Sequence, residues 1–521
     1  MCGIFFFSGN VYDEKIIHNS FESFSHRGPD DSKIINSKTP INYWLGFHRL
    51  AINDLSPSGM QPFVNGNILV VCNGEIYNHT EIVKKHKLKM DSNSDCEVIQ
   101  KLYLKYRDSD TFGPEDIASI LDGVFAFVII DENKNRMWVG RDPFGVRSLY
   151  WSYNNGEIGV ASELKGLHKL ISKKSKIEFF PPGHVAQIDM NTKKLTQLKR
   201  YFKLSLQSYI KDSDYDLCQE KCVGLLKNAV KKRMLSDRKI GAFLSGGLDS
   251  SIICSLVAEH FENKKDFHTF SIGMKGSPDL IYAKKVAEHI GSTHHEVLVS
   301  STDLLSMVQP TIKQIETFDT TTIRASTPMF TLAKYIKKEH PDIVVIFSGE
   351  GSDEVCGSYM YFHNAPNDIS FNTECHRLLN EIDHFDVLRA DKSTAGTGLE
   401  IRVPFLDKEF INFYLNLQSS WRRPKKYTHI SDRKIEKFFL RDSFSKYKKD
   451  CIPEDIIWRT KEAFSDGVSS TENNWFECLQ SWINTKYLTP DIFDYKIKKY
   501  EYWIKPETKE QLFYRELGSI L

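Results

Sequence analysis

The chain has 521 residues, 41% of them hydrophobic and 26% charged, and its 69 basic and 68 acidic residues leave a formal net charge of +1. That composition fits an ordinary globular protein of two or three domains and excludes fibrous and largely disordered classes. The near-neutral balance excludes a global field that would hold the chain on nucleic acid or an anionic membrane, and no apolar run reaches the roughly 20 residues of a membrane span. Neither nucleic acid nor membrane is an expected partner. The opening "IFFF" is too short for a signal peptide and lacks a basic flank, so a cytoplasmic location is expected. The ten cysteines show no CxxC pair or zinc-like spacing, which predicts mostly buried, reduced thiols.

From residue 3 to about 190 the chain reads as short strands: "GIFFF", "YWLGFHRLAI", "NILVVCNG", "VFAFVIID", "NRMWVGRD", "LYWSY", "IGVASE" and "HVAQID". Gly, Asn and Asp turns separate several of them, as hairpins require. Helices are predicted at 13–24 and 95–107, where apolar residues recur at helical spacing. This is an α+β half built on antiparallel sheets. From about 216 helices dominate and alternate with "KIGAFL", "DFHTFSIG", "HHEVLV" and "DIVVIFSG". That alternation predicts an α/β half with a helix-wrapped parallel sheet. The polar stretch 205–216 is the expected boundary.

Cys2 raises the first chemical question. If Met1 is removed, one residue carries both a thiol and a free α-amine, and an amine with a reference pKa of about 7.7–8.0 can relay the thiol proton. "CNGEIYN" (72–78) follows with an Asn-Gly pair. Asn73 and Gly74 there would supply a side-chain amide and a backbone N–H to a developing oxyanion, although "NG" alone reads as an ordinary turn. Arg49 in "FHRLAIND" is placed to grip a carboxylate. Asp95 in "SDCEVI", taken alone, reads as a helix cap.

Taken together, "MCGI", "HRGPDDS", "HRLAI", "NGEIYNH", "SDCEVI", "LDGVFAF", "GRDPFGVRSLYW" and "ASELKGL" stand in an order that resembles a class II glutamine amidotransferase domain. The resemblance implies an antiparallel αββα sandwich of the N-terminal nucleophile type over residues 2–203. It implies that Cys2 attacks the side-chain amide of glutamine, releasing ammonia through a glutamyl thioester. By matching position, Arg49, Leu50, Ala51, Ile52 and Asn53 would line the glutamine site, with Arg49 on the α-carboxylate. Glu75 and Asp95 would engage the α-amino end, and Asn73 and Gly74 would form the oxyanion hole. Cys72 and Cys96 are expected to be core thiols.

In the second half, "GAFLSGGLDSSIICSL" (241–256) is a strand, a Gly-rich turn and a helix, which places N–H groups and a helix dipole where a phosphate can sit. The lysine of a Walker A loop is absent. Asp249 among phosphates calls for an intervening cation, hence Mg²⁺. "FSGEGSDEVCGSYMYF" (347–362) adds Glu350, Asp353 and Glu354 after a second strand, consistent with one metal and nucleotide crevice.

This pair of loops resembles the ATP pyrophosphatases. "TFSIGMKGSPDL", "ETFDTTTIRASTPMF", "LRADKSTAGTGLEIRVPFLD" and "RTKEAFSDGV" (459–468) extend the resemblance to the glutamine-hydrolysing asparagine synthetases over nearly the whole chain. It implies a synthetase domain at 204–521 using ATP and Mg²⁺ to turn aspartate into β-aspartyl-AMP, which ammonia converts to asparagine. Carried over by position, Leu244, Ser245, Gly246, Gly247, Asp249, Ser250, Ile272, Ser348 and Gly349 would bind ATP, and Asp249 and Asp353 the metal. Glu350 and Lys461 would act catalytically, and Thr321 and Arg324 would meet aspartate. The family's "SDEVFGGY" stands here as "SDEVCGSY", with Cys356 and Ser358 substituted. Ammonia must avoid bulk water, so an apolar conduit between the halves is expected. A homodimer stays open.

Overall fold

The computed structural model describes residues 1–9, 13–38, 41–153, 156–204, 214–427, 431–461, 467–469, 474–486, 490–498 and 505–518. Most of the expected boundary segment (205–213) and residues 462–466 of the last motif lie outside the described residues.

The first half contains strands β1 (Gly3–Ser8), β2 (Asp31–Ser37), β3 (Tyr43–Arg49), β4 (Phe63–Asn65), β5 (Ile68–Ile76), β6 (Gly123–Asp131), β7 (Arg136–Arg141), β8 (Tyr150–Ser152), β9 (Ile158–Ala161), β10 (Glu178–Phe179), β11 (His184–Asp189) and β12 (Lys194–Arg200). They form two six-stranded sheets, in the orders β10-β8-β9-β1-β3-β2 and β12-β11-β7-β6-β5-β4, with antiparallel neighbours such as β1/β3 and β5/β6. Ile4, Phe6, Leu45, Phe47, Val71, Ala126, Val128 and Val160 fill the space between the sheets.

The outer faces are covered too. Phe5 and Phe7 pack with Phe21 of α1 (Glu14–Glu22). Val70, Cys72, Phe125 and Phe127 pack with Ile82 of α2 (His79–His86), with Val98, Ile99 and Leu102 of α3 (Glu97–Tyr106) and with Ile117 of α4 (Pro114–Ile120). A strand buried on both faces has no polar alternation, which explains the unbroken "GIFFF". The expected αββα sandwich is present, with α1 and α3 at the anticipated helices. Cys72 and Cys96 are buried core thiols.

Two local readings change. Asn73 and Gly74 lie inside β5, paired with Ala126 and Phe125, rather than in a turn. Asp95 does not cap α3, whose N-cap is Cys96 without a side-chain bond; its carboxylate instead accepts from the Ile76 N–H at 2.6 Å.

The second half starts with α5 (Tyr215–Lys232) and builds a five-stranded sheet from β13 (Lys239–Phe243), β14 (His268–Gly273), β15 (Thr293–Leu298), β16 (Ile343–Phe347) and β17 (Glu400–Arg402). The order is β15-β14-β13-β16-β17, parallel throughout. Between strands run α6 (Leu248–Ala258), α7 (Pro278–Ile290), α8 (Ser301–Ile315), α9 (Thr320–Glu339), α10 (Ser352–Cys356), α11 (Asp368–Glu381) and α12 (Asp386–Ala395). The chain leaves β13 in one direction along the sheet for β14 and returns on the other side for β16. In such sheets the crevice at the carboxyl ends of those two strands is the ligand position. Among the described residues no helix is long and apolar enough to cross a membrane.

The halves share one hydrophobic core, in which Leu50, Ile52, Tyr77, Val124 and Val146 join residues of α5 and α6. Buried ion pairs cross the same surface: Arg27–Asp391 at 2.9 Å, Arg141–Asp383 at 2.8 Å and Arg147–Glu400 at 2.9 Å. The interface beside Cys2 is therefore charged as well as apolar.

Candidate active site

Two sites emerge, one in each half. In the first, Cys2 precedes β1, and the β1/β3 register pairs Gly3 with His48, so Cys2 meets the residues that follow β3. The Leu50 N–H points at Cys2 Sγ from 3.4 Å, and the thiol lies 3.6 Å from the Leu50 carbonyl. Arg27 Nε holds the Cys2 carbonyl at 3.0 Å. Burial pushes the thiol up to about 11, against the pull of the nearby α-amine. Met1 is itself buried, its Sδ 2.7 Å from Arg147 Nη1. Burial brings the Met1 amine down to about 6, opposed by Glu400.

Of the sequence-derived residues, Leu50 touches Cys2 and Glu75 is near enough to act on its thiol; the others stand on β3, β5 and the segments that follow them. Asn73 is fully buried, and neither its amide nitrogen nor its oxygen has a hydrogen-bond partner. A polar group left so is costly unless something else uses it. A Cβ at Gly74 would lie 2.3 Å from the Val124 carbonyl, so only glycine fits beside Asn73. Asn53 Nδ2 bridges Glu75 and, at 3.3 Å, Asp95. Burial raises both carboxyls, Glu75 further through Glu400 and Asp95, and an ammonium group would relieve that crowding. Arg49 ends β3 and donates through Nη1 to the Ser56 carbonyl at 2.8 Å and through Nη2 to the Asp54 carbonyl. This fixes the guanidinium and leaves it further N–H donors.

The second site is a cavity of about 700 Å³ at the β13/β16 switch point. Leu244, Ser245, Gly247, Asp249, Ser250, Ile272, Ser348, Gly349, Glu350 and Asp353 line it, as do Thr321, Arg324 and Lys461. Gly246 lies outside that wall and turns the chain instead. Its φ is +72°, and a Cβ there would meet the Ala283 backbone nitrogen at 2.4 Å. Gly349 is also closely packed, its would-be Cβ 2.8 Å from the Ser250 nitrogen. The two loops are also joined by the Ser352 hydroxyl, which donates to Asp249 Oδ1 at 2.8 Å.

Sequence reasoning missed Lys437, whose ammonium sits between Asp249 (2.5 Å) and Asp353 (2.6 Å). Lys461 closes on Asp353 from the other side. Burial would push the Asp353 carboxyl up, but Lys437 and then Lys461 override it and hold it far below the carboxylate range. Nothing local marks Lys437 in the sequence; it lies 188 residues from Asp249.

Arg389 was missed likewise. It pairs with Glu350 and Asp386, each at 2.5 Å; burial raises the Glu350 carboxyl and Arg389 opposes it. Thr321 stands in the first turn of α9, and Arg324 is tethered to Glu510 at 3.1 Å. Ser358, one of the two substituted positions, donates to Asp353 Oδ1 at 2.5 Å, while Cys356 is buried.

The glutamine amidotransferase domain family matches residues 1–204, and the asparagine synthase family matches residues 222–370 and 365–519. A protein of Acanthamoeba polyphaga mimivirus described as a probable glutamine-hydrolyzing asparagine synthetase is 40% identical, over 99% of this chain and 94% of its own length. The glutamine-hydrolyzing asparagine synthetases of Mus musculus and Homo sapiens are each 39% identical, over 99% of this chain and 93% of theirs. With both halves matched and the likeness running end to end, the chain belongs to the family of glutamine-hydrolysing asparagine synthetases.

Proposed function

We propose that this chain makes asparagine from aspartate and ATP with nitrogen drawn from glutamine, its glutaminase domain spanning 2–203 and its synthetase domain 204–521, in the cytoplasm. The observation that carries this reading is the buried, unpartnered Asn73 amide in the half that opens with Cys2, in a chain whose other half holds a Gly-rich crevice with Lys437 and Lys461 on its wall.

Removal of Met1 leaves the α-amine on Cys2 itself. The amine then takes the thiol proton as Sγ attacks the glutamine side-chain carbonyl carbon. The oxyanion is received by Asn73 Nδ2 and the Gly74 N–H. The C–N bond breaks, the nitrogen takes the proton and leaves as ammonia, and water cleaves the thioester to glutamate. Arg49 grips the substrate α-carboxylate, with the 50–53 segment beside it, while Glu75 and Asp95 hold its ammonium.

In the other cavity an aspartate β-carboxylate oxygen attacks the α-phosphorus of ATP and pyrophosphate leaves. Ammonia then attacks the acyl carbon and AMP departs. Ser245, Gly247 and Ser250 cradle phosphate with the α6 N-terminus, Leu244, Ile272, Ser348 and Gly349 contact the nucleoside, and Gly246 shapes the loop. The carboxylates of Asp249 and Asp353 are hard oxygen donors and fit Mg²⁺. Mg²⁺ held there would neutralise phosphate charge, a task Lys461 and Lys437 share. Thr321 and Arg324 orient aspartate. Glu350, with its carboxyl raised by burial, accepts a proton from the attacking ammonia.

The test is Cys2→Ala. Glutamine-dependent asparagine formation should vanish while ammonia-dependent formation persists; loss of both, or of neither, counts against two coupled sites.

A further inference from the structure

The amino-terminal edge of the parallel sheet carries three histidines that neither proposed reaction uses. His268 opens β14, His295 lies in the neighbouring edge strand β15, and His340 follows the last turn of α9. The register pairs Phe270 with His295 and His268 with Thr293, so His268 and His295 stand on the same sheet face, one step apart. His268 Nδ1 lies 2.9 Å from His295 Nε2. The His340 ring centroid is 4.2 Å from that of His295 and 5.7 Å from that of His268. One ring nitrogen from each of the three falls within 4.8 Å of the others.

Aromatic neighbours and burial shape the surroundings of the cluster. Phe270 stacks on His295 at 4.9 Å, and Tyr335 lies 6.0 Å from His340. Burial, then mutual repulsion, lowers His268 and brings His295 down to about 4, so both are neutral near pH 7. The charged groups facing His268 are Asp342, Lys239 and Asp266, and Lys239 is already paired with Asp342 at 2.5 Å. A neutral imidazole gives a lone pair without losing a proton from the ring; it need only carry its N–H on the other nitrogen.

We propose that His268, His295 and His340 form a three-imidazole site for a divalent transition-metal ion of the zinc class, at the end of the sheet opposite the large cavity. Four steps of β14, about 13 Å along the strand, lead from His268 to the cavity residue Ile272, and Phe270, which stacks on His295, reaches the cavity wall between them. Three nitrogens at the usual zinc–imidazole length sit about 3.3 Å apart in a tetrahedron, so the ion would open the 2.9 Å His268–His295 contact slightly and draw together the nitrogens that now lie up to 4.8 Å apart, and water takes the fourth position. Imidazole favours zinc, copper and nickel over magnesium, which separates this site from the carboxylates of Asp249 and Asp353. The bound ion would pin the edge strand β15 to β14 and to the end of α9.

The test uses the metal-stripped, full-length protein in excess Mg²⁺, titrated with Co²⁺ as a spectroscopic probe and with Zn²⁺ by calorimetry. The expected result is one ion per chain, a tetrahedral d–d spectrum without sulfur charge transfer, and displacement of Co²⁺ by Zn²⁺. His268→Gln and His295→Gln should each weaken binding at least as much as losing an outer partner does, about 10–100-fold, while asparagine synthesis and far-UV circular dichroism stay unchanged. His340→Gln, at the end of a helix, gives the same readout if a strand variant fails to fold. No uptake from micromolar Zn²⁺, uptake that survives all three substitutions, or a thiolate-to-cobalt band would each overturn the proposal.

Discussion

Asn73→Ala separates catalysis from stability by sign. In the resting fold the Asn73 amide is buried with neither polar atom paired, and such a group costs about 1–3 kcal/mol. Truncation removes that cost and leaves a small void whose penalty runs the other way, so the variant should unfold within about 1 kcal/mol of the parent. Catalysis should fare very differently. Losing one preorganised oxyanion donor costs about 2.7–4 kcal/mol of transition-state binding, a 10²–10³-fold fall in turnover.

The assay is glutamate release from glutamine beside ammonia-dependent asparagine formation, with urea midpoints measured on the same preparations. Glutaminase turnover should drop while the ammonia-dependent rate and the midpoint hold. An Asn73→Ala protein that hydrolyses glutamine normally, or that loses several kcal/mol of stability, would show that the amide has a structural role and refute the reasoning.

Gly246→Ala forces a side chain into a left-handed position facing the Ala283 backbone at 2.4 Å. Adenylation, read as ATP/pyrophosphate exchange with aspartate, should fall sharply while glutaminase activity is spared. Asp353 has a folded pKa below its ordinary 3.8 because of Lys437 and Lys461, against the effect of burial. Its contribution to stability is therefore complete above that value and fades as pH falls through it. Denaturation midpoints followed from about pH 6 to about pH 3 should decline less steeply in Asp353→Asn than in the parent. Protein retaining Met1, identified by intact mass, should leave glutamine unused and still accept free ammonia, because Met1 sits buried against Arg147 and keeps the α-amine off Cys2.

Strands buried on both faces were legible because their residues are apolar without interruption, as in β1 and β16. The half-exposed edges "DSKIINS" of β2 and "KLTQLKR" of β12 were not, since nothing apolar marks them. β17 spans only Glu400–Arg402 and owes its place to pairing with β16. The candidate site follows the same rule. Cys2, Asn73, Asp249 and Asp353 sit in local patterns of glycine, turn and strand. Lys437 and Arg389 owe their positions to folding partners far away in the chain, which no local window contains.

Arg27 joins two jobs in one guanidinium: Nε steadies the carbonyl of Cys2 at 3.0 Å, and Nη2 reaches across to Asp391 at 2.9 Å. Gene fission at the junction would strip that second anchor and leave the arm that seats the nucleophile to Glu163 and Ser148 of its own half. Modularity in this enzyme thus stops short of autonomy: an amidase fragment produced alone should be a sluggish hydrolase until the missing piece is supplied in trans.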